Sequence, residues 1–282
     1  MAVTQQLPYP ILRARLFGAR CLTLLTDDEL WDQIGVRIAF TTRNGGVSAA
    51  PYESLNLGTH VGDDPVSVAQ NRASVLEAIG APAERVVVPD QVHGSELVEI
   101  NSSAPAAFEY AQERACAGAD GLIVTCSGVS ALLCFADCVP VIIVAPDGHF
   151  AVVHAGWRGV MAHIAPKALL QLLQTSDNPH DAHYLRACNI YIGPHICASC
   201  FETSEDLAHQ FADTFTLSCT PDDRHVNLTE ALRISLIEAG ADPARIVDAG
   251  LCTKEHVDAF YSYRAEDGVC GRHGAIAYKK ES

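Results

Sequence analysis

The apolar positions of this chain fall into short, nearly continuous runs rather than long helical stripes. Val36–Thr42, Leu122–Thr125, Ala131–Phe135, Val139–Ala145 and Phe150–His154 read as strands, and Ile190–Gly193 and Phe260–Tyr263 follow later. Asp147-Gly148, between two of these runs, reads as a hairpin turn. Caps mark the helices. Asp64-Pro65 opens a segment that places Val68, Arg72, Val75, Leu76 and Ile79 on one face, and Gly80 stops it. Asn227 followed by Glu230 resembles a capping box. A further helix is expected after Trp157, kinked or divided at Pro166. No repeat, low-complexity linker or domain boundary is visible. The reading is a single α+β domain over residues 1–282, with a mixed β-sheet sandwich core flanked by helices.

Composition narrows the functions. The 282 residues are 49% hydrophobic, enough to bury a large core. Nineteen Lys and Arg against 34 Asp and Glu give a formal charge of -15, which repels nucleic-acid backbones and anionic lipid. A small anionic substrate stays possible, because a few arginines in one pocket reverse the local field. The N-terminal segment has no basic region ahead of an apolar core, since Arg13, Arg15 and Arg20 interrupt its apolar stretch. The most apolar region, Gly121 to Pro146, is cut by Asp137 and Pro140, so no run reaches the ~20 residues a membrane span needs. Eleven irregularly spaced cysteines suit reduced thiols, and a cytoplasmic location is expected. Cys197 and Cys200 form a CxxC, read as structural; no second CxxC completes a structural zinc site.

Candidate chemistry concentrates where strands end in polar residues. Gln91-Val92-His93-Gly94 follows the apolar run Val86–Pro89, and Ala136-Asp137-Cys138 ends another strand. His154-Ala155-Gly156-Trp157-Arg158-Gly159 ends a third and opens a helix. Each segment puts a metal-type ligand at a chain reversal, where glycines permit close backbone approach. Two imidazoles and a thiolate suit zinc, and three protein ligands leave a fourth position open, which is the catalytic arrangement. Spacing alone does not decide this, because a histidine or cysteine beside an apolar strand is commonly a packed core residue.

Several segments occur in one order that resembles a known family. They are Thr42-Arg43-Asn44-Gly45-Gly46-Val47-Ser48, Ser54-Leu55-Asn56-Leu57-Gly58, Asn71-Arg72, the His93, Cys138 and His154 segments above, Ile192-Gly193-Pro194, Cys200-Phe201-Glu202 and Phe260-Tyr261-Ser262-Tyr263-Arg264. Together they resemble the purine nucleoside phosphorylase family formerly called multicopper polyphenol oxidoreductases, or laccase-domain proteins. The likeness runs from about residue 37 to the C-terminus. It departs at Asp267–Arg272, an elongated form of the family's acidic-Gly-Arg end.

The resemblance implies zinc held by His93, Cys138 and His154. It implies phosphorolysis of adenosine, inosine, guanosine and 5′-methylthioadenosine, with adenosine deamination beside it. Phosphorolysis needs a cation to seat phosphate, for which Arg43 and Arg158 are the candidates together with zinc. Deamination needs activated water and a proton shuttle; the H-x-E and P-C-x-x-C deaminase signature is absent, and Asp137 is the nearest acid–base group. Asn56, Gln91 and Arg264 are the expected substrate contacts. Trp157 reads as packing beneath its helix, and Tyr261 and Tyr263, two apart, are expected on one sheet face.

Three other readings compete. A copper oxidase would want an axial methionine or paired histidine motifs, but the chain has 2 methionines and its 12 histidines include no His-x-His. Cytoplasmic peptidoglycan-precursor editing, an amide hydrolysis, would use Cys138 as nucleophile and His154 as base. A metal-stabilised binding module would need the ligands without turnover.

Overall fold

The computed structural model describes residues 6–281, so the first five positions of the N-terminal segment lie outside the described residues. Twelve strands run in chain order as β1 Arg13–Phe17, β2 Leu22–Thr26, β3 Val36–Thr41, β4 Val86–Val87, β5 Leu97–Ile100 and β6 Gly121–Val124, then β7 Ser130–Phe135, β8 Val139–Val144, β9 Phe150–Ala155, β10 Asn189–Ile192, β11 Ile246–Asp248 and β12 His273–Lys279. They form two six-stranded mixed sheets, ordered β1-β2-β3-β12-β7-β4 and β11-β10-β8-β9-β6-β5. Between them lie eight helices among the described residues: α1 Asp28–Ile34, α2 Pro65–Ile79, α3 Pro105–Cys116, α4 Trp157–Met161, α5 Ile164–Gln174, α6 Ala182–Ala187, α7 Glu205–Thr214 and α8 Leu228–Glu238.

The period of two along each strand sorts side chains into layers. Ile38 and Phe40 of β3, Leu133 of β7 and Ala275 of β12 meet Ile142 and Val144 of β8 and Val152 of β9 in the core between the sheets. The alternate residues Val141, Ile143, Ala151 and Val153 face α5 and α8, packing on Leu169, Leu172, Leu232 and Leu236. Behind the other sheet, Ala39, Leu132 and Ile276 pack on Val75, Leu76 and Ile79 of α2. β3 and β6 to β10 are buried on both faces, which is why their sequences are near-continuous apolar runs. Burying each such Val, Ile or Leu contributes about 1.5–3 kcal/mol.

The N-caps form as expected, but the box at Asn227 closes on one side only, the Asn227 N–H donating to Cys219 O rather than to Glu230. Asp64 accepts from the backbone N–H groups of Val66 and Ser67, and Gly80 closes α2 in the left-handed region at φ 75°. Asn227 accepts from Glu230 N–H at 3.0 Å, while the Glu230 carboxylate accepts from Ser218 Oγ at 3.2 Å. The helix after Trp157 divides at Ala162 and His163, so Pro166 sits in the first turn of α5, where its missing N–H breaks no helical bond.

One expected strand is absent. Phe260–Tyr263 is a turn region: Phe260 N–H donates to His256 O and Glu266 N–H to Ser262 O. Tyr261 is fully buried and Tyr263 is 55% exposed, so the two rings do not share a face. The strand-like composition is overridden because its backbone groups are satisfied locally. No helix among the described residues is long and apolar enough to cross a membrane.

Strand direction decides where function can sit. β4 is parallel to β7, β8 runs antiparallel to β9, and β12 runs antiparallel to both β3 and β7. The C-terminal ends of β3, β4, β7, β9 and β10, and the starts of β8 and β12, therefore meet at one end of the sandwich.

Candidate active site

Two chain crossings between the sheets and one strand end supply the three expected ligands. His93 lies in the crossing from β4 to β5, and Cys138 in the crossing from β7 to β8. Val139 pairs with Ala155, which sets Cys138 beside His154 at the end of β9. The ligand atoms of His93, Cys138 and His154 all lie within 4.8 Å of one another. The two imidazoles meet edge to face with ring centroids 4.8 Å apart. A tetrahedral zinc with Zn–S ≈ 2.3 Å and Zn–N ≈ 2.0 Å needs donor separations of roughly 3.3–3.6 Å, a small closure from this spacing.

A buried carboxylate organises this group. Asp120, fully buried, approaches His154 Nδ1 with Oδ1 at 2.7 Å. The same carboxylate accepts from the backbone N–H groups of His93 at 2.9 Å and Gly94 at 2.6 Å. One side chain thus orients both histidine segments and leaves the other nitrogen of His154 to face Cys138. Burial raises the Asp120 carboxyl, but the His154 contact and the Gly94 N–H outweigh it and hold the group below the usual carboxylate range. Burial also pushes the Cys138 thiol up, yet the adjacent His154 charge and contacts from both imidazoles bring it down to about 6. Burial lowers His154, and Cys138 and Asp120 together raise it to about 9. Thiolate character at Cys138 is what a metal ligand or a nucleophile needs.

Gly156 is the second fixed feature. A Cβ there would stand 3.2 Å from Cys138 Sγ, 3.3 Å from His93 Cδ2 and 3.7 Å from His154 Cε1. The donor set, the outer carboxylate and the glycine cradle all fit a metal ion.

The three residues open into a cavity of about 410 Å³, also lined by Gln91, Asp137, Ile196, Tyr263, Arg264 and Arg272. The other expected site residues divide. Gln91 clamps the end of β7, donating to Cys134 O and accepting from Cys134 N–H, both at 2.8 Å. Asp137 sits at φ 83°; Oδ1 accepts from Thr253 Oγ1 at 2.6 Å and Oδ2 from Arg264 N–H at 2.7 Å, so both oxygens hold neighbouring loops. Arg264 reaches the cavity while donating to Glu202 O at 3.0 Å.

Arg43, Arg158 and Asn56 do not line the cavity. Arg43 donates to the carbonyls of Glu53 and Val257, pairs with Glu266 at 2.9 Å and stacks 4.4 Å over Tyr261. Arg158 is exposed and lies 4.2 Å over the Trp157 ring, whose other contacts are with the helical core layer. Asn56 is fully buried, accepting from Arg272 N–H at 2.8 Å and donating to Asp63 at 2.8 Å. Sequence reasoning passed over Asp120, which opens an apolar strand without any motif, and Arg272, which stands in the recognised acidic-Gly-Arg tail.

Comparison with known proteins identifies the family of this chain. Residues 37–280 match the family model described as multi-copper polyphenol oxidoreductase laccase. The chain is 34% identical over 257 residues to the purine nucleoside phosphorylase YlmD of Geobacillus stearothermophilus, covering 88% of this chain and 91% of that protein. It is 34% identical over 247 residues to a purine nucleoside phosphorylase of Deinococcus radiodurans, covering 86% and 89%. The crystal structure of G. stearothermophilus YlmD superposes with a TM-score of 0.78 at 30% identity, over 95% of this chain and 100% of that one. The Bacillus licheniformis protein YfiH gives 0.77 at 28% identity, over 92% and 96%. With a family match over residues 37–280 and relatives covered over about nine-tenths or more of their length, this protein belongs to the multi-copper polyphenol oxidoreductase laccase family.

Proposed function

We propose that this chain is a zinc-dependent purine nucleoside phosphorylase acting on adenosine, inosine, guanosine and 5′-methylthioadenosine, with adenosine deamination as a second activity. The observation that carries the reading is the His93–Cys138–His154 cluster opening into a cavity that also holds two guanidinium groups. The names of its relatives point the same way.

His93, Cys138 and His154 would hold the zinc, with Asp120 fixing the ring of His154. When bound, zinc supplies Lewis acidity at an open coordination position. Arg264 and Arg272 seat phosphate, because a guanidinium offers a planar fork of donors that stays charged at every physiological pH. They take the role expected of Arg43 and Arg158 because they line the cavity and those two do not. Tyr263, Phe201 and Ile196 give the cavity an apolar wall against which a purine can stack. Asp137 positions that wall through Thr253 and the Ile196 and Arg264 backbone, while Gln91 holds the end of β7 at Cys134. Asp137, with both oxygens engaged, is a poor proton shuttle in this arrangement.

One observation favours a second reading. Cys138, His154 and Asp120 stand in the order nucleophile, base and orienting carboxylate, which suits hydrolysis of an amide such as that of a peptidoglycan precursor. Zinc bound at Cys138 Sγ and nucleophilic attack by the same sulfur exclude each other. Chromatography of adenosine incubated with and without phosphate tests the proposal. Adenine formed only with phosphate supports phosphorolysis, inosine formed in either case reports deamination, and unchanged adenosine in both rejects the nucleoside reading.

A further inference from the structure

A second cluster of metal-type ligands lies beyond the wall of the active-site cavity. β10 and β11 are parallel neighbours, so the loops that follow them emerge side by side, and a bridge between His195 and Cys252 continues their pairing. The first loop carries Cys197 and Cys200, the second Cys252 and Glu255. The sequence thus reads CxxC in one loop and CxxE in the other.

The ligand atoms of these four residues all lie within 4.8 Å of one another. Cys197 Sγ and Cys200 Sγ stand 3.8 and 3.7 Å from Glu255 Oε1. Donors around a tetrahedral zinc with Zn–S ≈ 2.3 Å and Zn–O ≈ 2.0–2.2 Å are separated by roughly 3.5–3.8 Å, which the two Cys–Glu255 separations match and the 4.8 Å limit on the others approaches. Cys200 and Phe201 N–H groups both donate to Cys197 O, closing the CxxC into a tight turn, and Cys197 N–H donates to Cys252 Sγ at 3.3 Å.

We propose that Cys197, Cys200, Cys252 and Glu255 form a second, structural zinc site. Three thiolates select a soft, tetrahedral cation over calcium or magnesium, and four protein ligands leave no position open for substrate. Its position gives the site a task. Residues adjoining three of the ligands build the active-site wall: Ile196 and Phe201 line the cavity, and Thr253 donates to Asp137 at 2.6 Å. Ile196 N–H also donates to Asp137 O at 3.0 Å. A cation that ties the two loops together fixes Asp137 and the wall from behind.

The test is zinc content by mass spectrometry for protein purified under reductant with zinc supplied. Wild type should carry about two zinc ions per chain, and Cys138→Ala and the double variant Cys197→Ala/Cys200→Ala about one each. Cobalt-substituted Cys138→Ala should keep strong thiolate-to-cobalt absorption, and Cys252→Ser in that background should weaken it by about a third or more. Wild type with one zinc and Cys138→Ala with none would overturn the second site and leave the first intact. One zinc in both would support the second site and reject the first. If Cys138→Ala fails to fold, wild type and Cys197→Ala/Cys200→Ala decide: two zinc ions falling to one support the site, and one zinc retained undiminished by the double variant overturns it. A Cys197–Cys200 disulfide that, once reduced, still takes up no zinc also overturns it.

Discussion

Asp120 Oδ1 lies 2.7 Å from His154 Nδ1 while the same carboxylate accepts from the backbone of the His93 segment, so one buried side chain sets two of the three metal-type ligands. Outer carboxylates of this kind fix the tautomer and orientation of a metal-bound imidazole. Asp120→Asn should weaken zinc affinity about 10–100-fold. It should also lower stability by about 1–3 kcal/mol, because buried donors lose an ionised acceptor. Chelator competition measures the first and urea unfolding the second; unchanged zinc affinity would reject the orienting role.

Gly156→Ala separates cavity shape from fold. The backbone of Gly156 lies at φ -65°, which alanine adopts freely, but the added Cβ would crowd Cys138 and His93. Zinc occupancy and turnover should fall at least tenfold while Tm moves by only a few degrees. Equal turnover in Gly156→Ala and wild type would show that the cradle does not matter.

The arginines divide by their surroundings. Arg43→Lys loses contacts to Glu266 and two carbonyls and should cost about 1–3 kcal/mol of stability, leaving the apparent KM for phosphate near its wild-type value. Arg264→Lys and Arg272→Lys keep the charge but lose the fork, and each should raise that KM about tenfold or more. A raised phosphate KM in Arg43→Lys alone would return phosphate binding to the segment after β3.

His273 supplies a pH dependence of stability. Its ring lies between Phe135 and Phe260, and burial, assisted by the charges of Arg272 and Arg43, pulls its pKa down to about 3. The unfolded chain, with a histidine pKa near 6.5, binds this proton more readily. The contribution is therefore fully present above about pH 6.5 and is lost progressively as pH falls toward about 3. His273→Phe should flatten the decline of Tm between pH 6.5 and 4.5. An equally steep decline would assign the loss to other groups.

The sequence made much of this visible, for physical reasons. β8 and β9 are buried on both faces, so their apolar runs were unmistakable, and Asp147-Gly148 marked the hairpin between them. His93, Cys138 and His154 stand at strand ends, but it is the family resemblance that joins them into one ligand set, and the fold brings their ligand atoms within 4.8 Å of one another. β12 was harder to read: its Gly-Ala-Ile-Ala stretch shows little alternation, and its partners β3 and β7 are far away in sequence. Arg43 looked like an anion ligand because its glycine-rich segment suggested an open loop, whereas Glu266, 223 residues away, occupies its guanidinium. Asp120 and Cys252 stayed hidden for the same reason, their partners being brought to them only by strand pairing.

Phosphate-dependent release of adenine from adenosine, followed as zinc is titrated into metal-stripped protein and into Cys138→Ala, tests the central claim most directly. In the wild-type chain the rate should rise in proportion to occupancy of the His93–Cys138–His154 site, and omission of phosphate should abolish it. Cys138→Ala should stay at least about 100-fold slower at the same zinc concentrations. Full phosphorolysis by the stripped protein, or by Cys138→Ala without zinc at His93 and His154, would contradict the account.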